Sequence, residues 1–150
     1  KTVEMYGMIV IGHGAFASGI TTSVKMISGE LNHYIPLEFR ADEPLEALSQ
    51  NLHSAIDTLL EDTDGVLIFT DLIGGTPFKT AYSIAHGRPE LAVICGTNLG
   101  MLLEANFSRM DGGSLQDLAR SLVEGGREQV IYMEKIEITN PQENSDEEGI

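Results

Sequence analysis

Three times along the chain a compact apolar run ends in a glycine-rich or polar turn and gives way to a segment with helical spacing. That rhythm belongs to βαβ units around a parallel sheet. The first run, from Met5 through Gly7-Met8-Ile9-Val10-Ile11 to Gly12, is continuous rather than alternating, as suits a strand buried on both faces. A helix over residues 16–27 follows, closed by Gly29 just past its end. His33 to Phe39 reads as a second strand, after which Asp42-Glu43-Pro44 opens a helix with Leu45, Leu48, Leu52, Ile56 and Leu59 on one face. Val66-Leu67-Ile68-Phe69 is the third strand, running into Thr70-Asp71-Leu72-Ile73-Gly74-Gly75-Thr76-Pro77 and a helix to about His86. Leu91 to Cys95 is the fourth, followed by the turn Gly96-Thr97-Asn98 and a helix carrying Met101, Leu102 and Phe107.

Asp111-Gly112-Gly113 breaks the chain before a helix capped by Ser114, with Leu115, Leu118, Leu122 and Val123 facing inward. Gln129 to Ile138 alternates well enough for a last strand, at an edge or reaching across to another subunit. Residues 139–150 are polar, acidic and without periodicity, the pattern of a flexible tail. The expected architecture is a single α/β domain over residues 1–138, a mostly parallel sheet with helices on both faces, followed by that tail.

Composition narrows the class. A chain of 150 residues is one domain by length, and with 42% hydrophobic residues it can bury a core. Nine Lys and Arg stand against 23 Asp and Glu, a formal net charge of −14, which argues against nucleic acid or an anionic membrane as partner. Cys95 is the single cysteine, so an internal disulfide is impossible. The apolar runs are too short to span a bilayer and show no signal-peptide pattern, so a soluble, cytoplasmic protein without membrane insertion is expected.

In an open α/β sheet, ligands bind beyond the carboxyl ends of the strands, where the strand order reverses. Two polar turns fall at such ends: Gly12-His13-Gly14 after the first strand and Asp71 to Pro77 after the third. If the first strand is central, the imidazole of His13 and the carboxylate of Asp71 can meet across the crevice. A carboxylate fixes one ring nitrogen as a donor and leaves the other with its lone pair free as nucleophile or base. Gly14, Gly74 and Gly75 let the backbone approach a ligand, and helix starts there offer N–H groups suited to phosphate. Thr76 adds a hydroxyl donor, and Pro77 fits a first helical position. The expected site is a nucleophilic His13, an orienting Asp71 and a phosphate cradle of Gly14, Gly74, Gly75 and Thr76.

Each feature alone also has a plainer reading. A histidine in a strand-end turn is more often structural, a glycine pair commonly marks a loop, and Asp71 could cap the helix that follows. Their joint placement at two strand ends is what points to a site. Other motifs fail on spacing. Ile73 and Phe78 stand where a nucleotide P-loop before Lys79-Thr80 needs glycine, and Ala17 replaces the third glycine of a dinucleotide fingerprint. Met101 occupies the place of the arginine that a cysteine phosphatase loop at Cys95 requires, which leaves a buried thiol. His33, His53 and His86 lie on different elements without metal-ligand spacing, so no metal site is assigned.

With these residues the sequence resembles the IIA component of the mannose family of the bacterial sugar phosphotransferase system. The resemblance rests on Ile9-Val10-Ile11-Gly12-His13-Gly14 and on Thr70-Asp71-Leu72-Ile73-Gly74-Gly75-Thr76-Pro77-Phe78. Val93-Ile94-Cys95-Gly96-Thr97-Asn98, Met101-Leu102-Leu103-Glu104 and Gly126-Arg127 support it. It implies that His13 accepts a phosphoryl group on Nε2 from the phosphohistidine of HPr and passes it to a histidine of the IIB component, without a cofactor. The matching aspartate, Asp71, would hold Nδ1, and Thr76 would contact the phosphate. The resemblance further implies a homodimer in which the C-terminal strand crosses to the partner. Because residues 139–150 are too short for another domain, IIB is expected as a separate polypeptide unless they begin a linker. The transported sugar is not readable, since a IIA component does not touch it. Two rival readings stand beside this one: the related phosphotransfer subunit that feeds dihydroxyacetone kinase, and a non-catalytic small-molecule binding module with His13 as a ligand contact. A histidine phosphatase fits less well, because Ile11 and Gly12 precede His13 where such an enzyme has arginine.

Overall fold

In the computed structural model, which describes residues 5–136, the apolar run at the start of the chain becomes β1 (Tyr6–His13), hydrogen-bonded to a parallel neighbour on each side. The chain continues through α1 (Phe16–Ser28), β2 (Tyr34–Phe39), α2 (Leu45–Leu60), β3 (Gly65–Thr70), α3 (Thr76–Ala85), β4 (Leu91–Ile94), α4 (Leu99–Ser108) and α5 (Leu115–Glu128). The four strands lie in the order β2-β1-β3-β4, and every pairing is parallel. The expected α/β fold is the one observed.

Strand pleat distributes the core into two layers. Tyr6, Met8 and Val10 of β1, with Leu67 and Phe69 of β3, point to the face covered by α1, α4 and α5. Ile9 and Ile11, with Val66 and Ile68, point to the face covered by α2 and α3, where Leu48, Leu52 and Ile56 meet them. Side chains in both layers are fully buried, each worth ~1.5–3 kcal/mol relative to exposure. β1 and β3 are therefore apolar at nearly every position, which is why their sequences do not alternate.

The connection through α1 carries the chain from β1 to β2 on one side, and the connection through α2 brings it back to β3 on the other. The carboxyl ends of β1 and β3 thus flank the point where strand order reverses, and the turns carrying His13 and Asp71 sit at that crevice. At the opposite end of the sheet the buried Arg109 donates to the carbonyls of Asn32 at 2.5 Å and His33 at 2.9 Å and to Asn106 Oδ1 at 2.9 Å. Its own backbone carbonyl accepts the N–H of Tyr6 at 3.2 Å, so this one residue ties the beginnings of β1 and β2 to the end of α4.

Two expectations need correction. Gln129 does not begin a strand but closes α5, and residues 130–136 pair with no strand among the described residues. The helix runs through Gly125 and Gly126, which face the side-chain ends of Glu104 and Met101 of α4. Leu45, expected on the buried face of α2, is 59% exposed because it is the first residue of the helix, ahead of the core residues that begin at Leu48. Residues 137–150, with the end of the expected last strand and the tail, lie outside the described residues.

Candidate active site

His13 is the last residue of β1 and belongs to the same pleat series as Ile9 and Ile11, so its side chain leaves the sheet on the α2/α3 face. Asp71 follows β3 directly. Its position is fixed from behind by Thr70, whose hydroxyl donates to the carbonyl of Ile94 at 3.1 Å. The carbonyl of Thr70 accepts the hydroxyl of Thr97 at 2.7 Å, and this pair of bonds ties the ends of β3 and β4 together.

One carboxylate oxygen of Asp71 makes two bonds to His13. Oδ2 accepts the backbone N–H at 2.8 Å and meets ring Nδ1 at 2.6 Å. Oδ1 accepts the N–H of Leu72 at 2.9 Å, so Asp71 serves the histidine and its own turn and does not cap α3. Burial pushes the Asp71 carboxyl up. The hydrogen bonds from the His13 N–H, the His13 ring and the Leu72 N–H, with the electrostatic field of the imidazole, outweigh it and hold the group below its ordinary value. An ionised carboxylate can only accept, so Nδ1 carries the proton of the neutral ring and Nε2 presents its lone pair. The Asp71 side chain is 9% exposed and that of His13 is 47% exposed, which leaves the reactive edge open to a partner.

Gly75 is the N-cap of α3 and touches that edge. A Cβ built there would lie 2.8 Å from His13 Cε1 and 3.5 Å from Nε2, so the first turn of α3 is packed directly on the imidazole. Gly74, at φ +82°, makes the left-handed turn that delivers it. First-turn N–H groups of a helix lack partners within the helix and carry its positive end, so anion-binding capacity sits beside Nε2. Thr76 opens α3 and Pro77 lies in its first turn, as expected. Gly14, at φ +55°, differs from its expected role. Its N–H already donates to the carbonyl of Phe39 at 2.7 Å, and what it offers a ligand is open space where a side chain would stand.

Leu72 and Ile73, 53% and 72% exposed, form an apolar rim next to the site. A groove of ≈ 400 Å³ between α2 and α3, lined by Leu45, Ser49, Lys79 and Ile84 among others, meets the site only at Thr76. Among the described residues no group of three or more His, Cys, Asp or Glu side chains converges as a metal would require. His53 lies on the exposed face of α2, and His86 closes α3.

The model of the family described as "PTS system fructose IIA component" matches residues 7–139. The chain belongs to this family. Among the relatives of this IIA component is the PTS system fructose-specific EIIA component of Bacillus subtilis, 31% identical over 147 residues, which cover 95% of this chain and 99% of that protein. The PTS system mannose-specific EIIAB component of Escherichia coli is 35% identical over 123 residues, 81% of this chain but only 38% of that longer protein. In three dimensions the mannose/sorbose-specific IIA subunit of the phosphotransferase system from Enterococcus faecalis superposes with a TM-score of 0.80 at 28% identity, covering 90% of this chain and 99% of that one. The resemblance drawn from the two turns thus holds. As a mannose-family IIA component, the protein is a phosphotransfer component of sugar uptake.

Of the predicted residues, the structure brings His13, Asp71 and Gly75 into contact and places Gly74 and Thr76 on either side of Gly75. Sequence reasoning did not single out Phe39, whose ring lies 5.9 Å from that of His13, nor the Thr70–Thr97 tie. A hydroxyl residue ending each of two strand-end segments was the available signal for the threonines. Nothing in the local spacing marks Phe39, because its placement follows from the β1–β2 register that sets His13 opposite it.

Proposed function

We propose that His13 is the phosphoryl-carrying residue of this IIA component. It accepts the group from the phosphohistidine of HPr and hands it to a histidine of IIB. One observation carries the proposal: Asp71 holds Nδ1 at 2.6 Å, so the lone pair stands on Nε2, at the ring edge that faces Gly75 and the start of α3. In the transfer, Nε2 attacks phosphorus in line and forms the new N–P bond, while the donor nitrogen leaves with the electron pair of the bond it loses. The Nδ1 proton stays on the ring, and Asp71 stabilises the positive charge that develops there. The reverse sequence delivers the group to IIB.

A carrier must bind the phosphoryl group without trapping it. Neutral donors suit this better than a guanidinium clamp, and neither turn contains a Lys or Arg. In this reading the cradle is built from the first-turn N–H groups of α3 and the Thr76 hydroxyl, with Gly74 shaping the turn and Gly14 leaving room for the oxygens. The net charge of −14 supports docking to carriers with basic faces in the cytoplasm, with steering that weakens as salt rises. We also assign the IIA domain to residues up to 138 and a tail to 139–150, and propose that two copies associate as a homodimer.

The test is incubation with phosphoenolpyruvate, enzyme I and HPr, followed by intact-mass measurement and peptide mapping, with His13→Ala alongside. The expected result is one acid-labile phosphate on His13 that requires HPr, is absent from a folded His13→Ala protein and is passed on when IIB is added. Normal phosphate uptake by the folded alanine variant would remove His13 from the reaction.

A further inference from the structure

A hydrogen bond at one ring atom is a pivot: it fixes the direction of the Nδ1–H vector but leaves the imidazole free to swing about it. Delivering Nε2 along one line needs contacts away from that pivot. Gly75 stands beside Cε1, where a Cβ would lie 2.8 Å from it. A second neighbour is Phe39, the last residue of β2, whose ring centroid lies 5.9 Å from that of His13 with the planes at 67°. This is an edge-to-face arrangement, in the range where aromatic pairs attract beyond simple burial. Phe39 is half-buried and packs on the α2/α3 core layer, so its own ring is held from behind. Its backbone is held too, because its carbonyl accepts the Gly14 N–H at 2.7 Å, closing the turn that follows His13.

We infer that Phe39 is a positioning residue for phosphoryl transfer, setting the swing of the His13 imidazole about its bond to Asp71. The inference rests on the carrier role proposed for His13. The backbone bond to Gly14 does not depend on the side chain, so substitution of Phe39 tests the ring alone. Leucine keeps apolar bulk for the core without an aromatic edge, and tyrosine keeps the ring.

The experiment compares the wild type with Phe39→Leu and Phe39→Tyr in two arms. The first measures the order of the His13 Cε1–H bond by ¹³C relaxation in the unphosphorylated protein. The second measures phosphoryl acceptance over a range of phospho-HPr concentrations. In Phe39→Leu the expected outcome is a looser imidazole and a saturating rate lower by about threefold to tenfold, with the half-saturating HPr concentration unchanged. Phe39→Tyr should retain both the order and the rate. A leucine variant with wild-type ring order and rate would overturn the inference. So would equal losses in the leucine and tyrosine variants, or a raised half-saturating concentration with ring order unchanged, since these assign Phe39 to the fold or to docking. If the wild type accepts no phosphate, the carrier role fails by itself, and the ring-order arm still decides whether Phe39 restrains His13.

Discussion

At the scale of single residues, the site depends on one carboxylate doing two things, orienting Nδ1 and holding the backbone of the residue it orients. Asp71→Asn keeps the shape but can turn an amide N–H toward Nδ1, which removes the bond or favours the other tautomer. Phosphoryl acceptance should slow by about tenfold or more without disappearing, since a hydrogen bond to a charged group is worth ~1.5–3 kcal/mol. Rapid-quench kinetics on the variant reads this directly, and wild-type kinetics would mean that something else orients the ring. The same carboxyl also ties stability to pH. Its value in the folded protein lies below its ordinary 3.8, so the contribution is complete above 3.8 and fades as pH falls toward the lower folded value. Urea melts between neutral pH and pH 3 should show a steeper acid loss in the wild type than in Asp71→Asn.

Gly75 gives a sharper residue-scale case. Its φ of −75° and ψ of 168° are open to any residue, so alanine there strains no backbone. The added methyl would lie 2.8 Å from His13 Cε1 and must push the ring aside. Gly75→Ala should fold with a thermal midpoint near that of the wild type yet lose most of its phosphoryl acceptance. A variant that transfers normally would show that the imidazole has another rest position.

Among the elements, the parallel strands were legible in the sequence because a strand covered on both faces must be apolar throughout, as β1 and β3 are. The pairing of the two site turns was legible for a related reason: both end such strands, and in this topology their ends converge. Contacts set by register were not legible. Phe39 meets His13 because β2 pairs with β1 in one alignment, which the spacing within neither strand shows. Arg109 was not legible either, because nothing in the sequence distinguishes a lone arginine at a helix end from a surface cation. In the fold it is buried and donates to three backbone carbonyls and an amide oxygen. Methionine would fill the space but give up all four donations, while the His33 carbonyl keeps the N–H of Met8 at 2.9 Å. Hydrogen bonds from a charged group are worth ~1.5–3 kcal/mol each, so Arg109→Met should lower stability in urea by about 3 kcal/mol. β1 spans roughly 23 Å between this clamp and His13, so the folded fraction should still accept phosphate normally. A variant as stable as the wild type would show that the clamp carries little of the fold.

For the molecule as a whole, residues 130–136 pose the remaining question. Val130, Ile131, Tyr132, Met133 and Ile136 are between 67% and 80% exposed, although in an extended chain Val130, Tyr132 and Ile136 would share one face as in a strand. So much apolar surface in one segment is unusual for a monomer, and an extended apolar segment is suited to pairing with a sheet edge. Within one chain the sheet ends at β2 on one side and β4 on the other, each with a row of backbone groups facing outward. The sequence could show that this segment has strand character, but not which sheet completes it, since alternation carries no information about the partner chain. In a homodimer, each copy's segment would find its ladder on the other, burying the apolar side chains and covering an edge at once. Sedimentation should therefore give twice the mass of the chain, and a protein stopped after Gln129 should sediment as a monomer with α5 intact by circular dichroism. Because His13, Asp71 and Gly75 come from one chain, the shortened protein should still accept a phosphoryl group. A monomeric full-length chain, or a shortened chain that remains a dimer, would take the assembly away from residues 130–136.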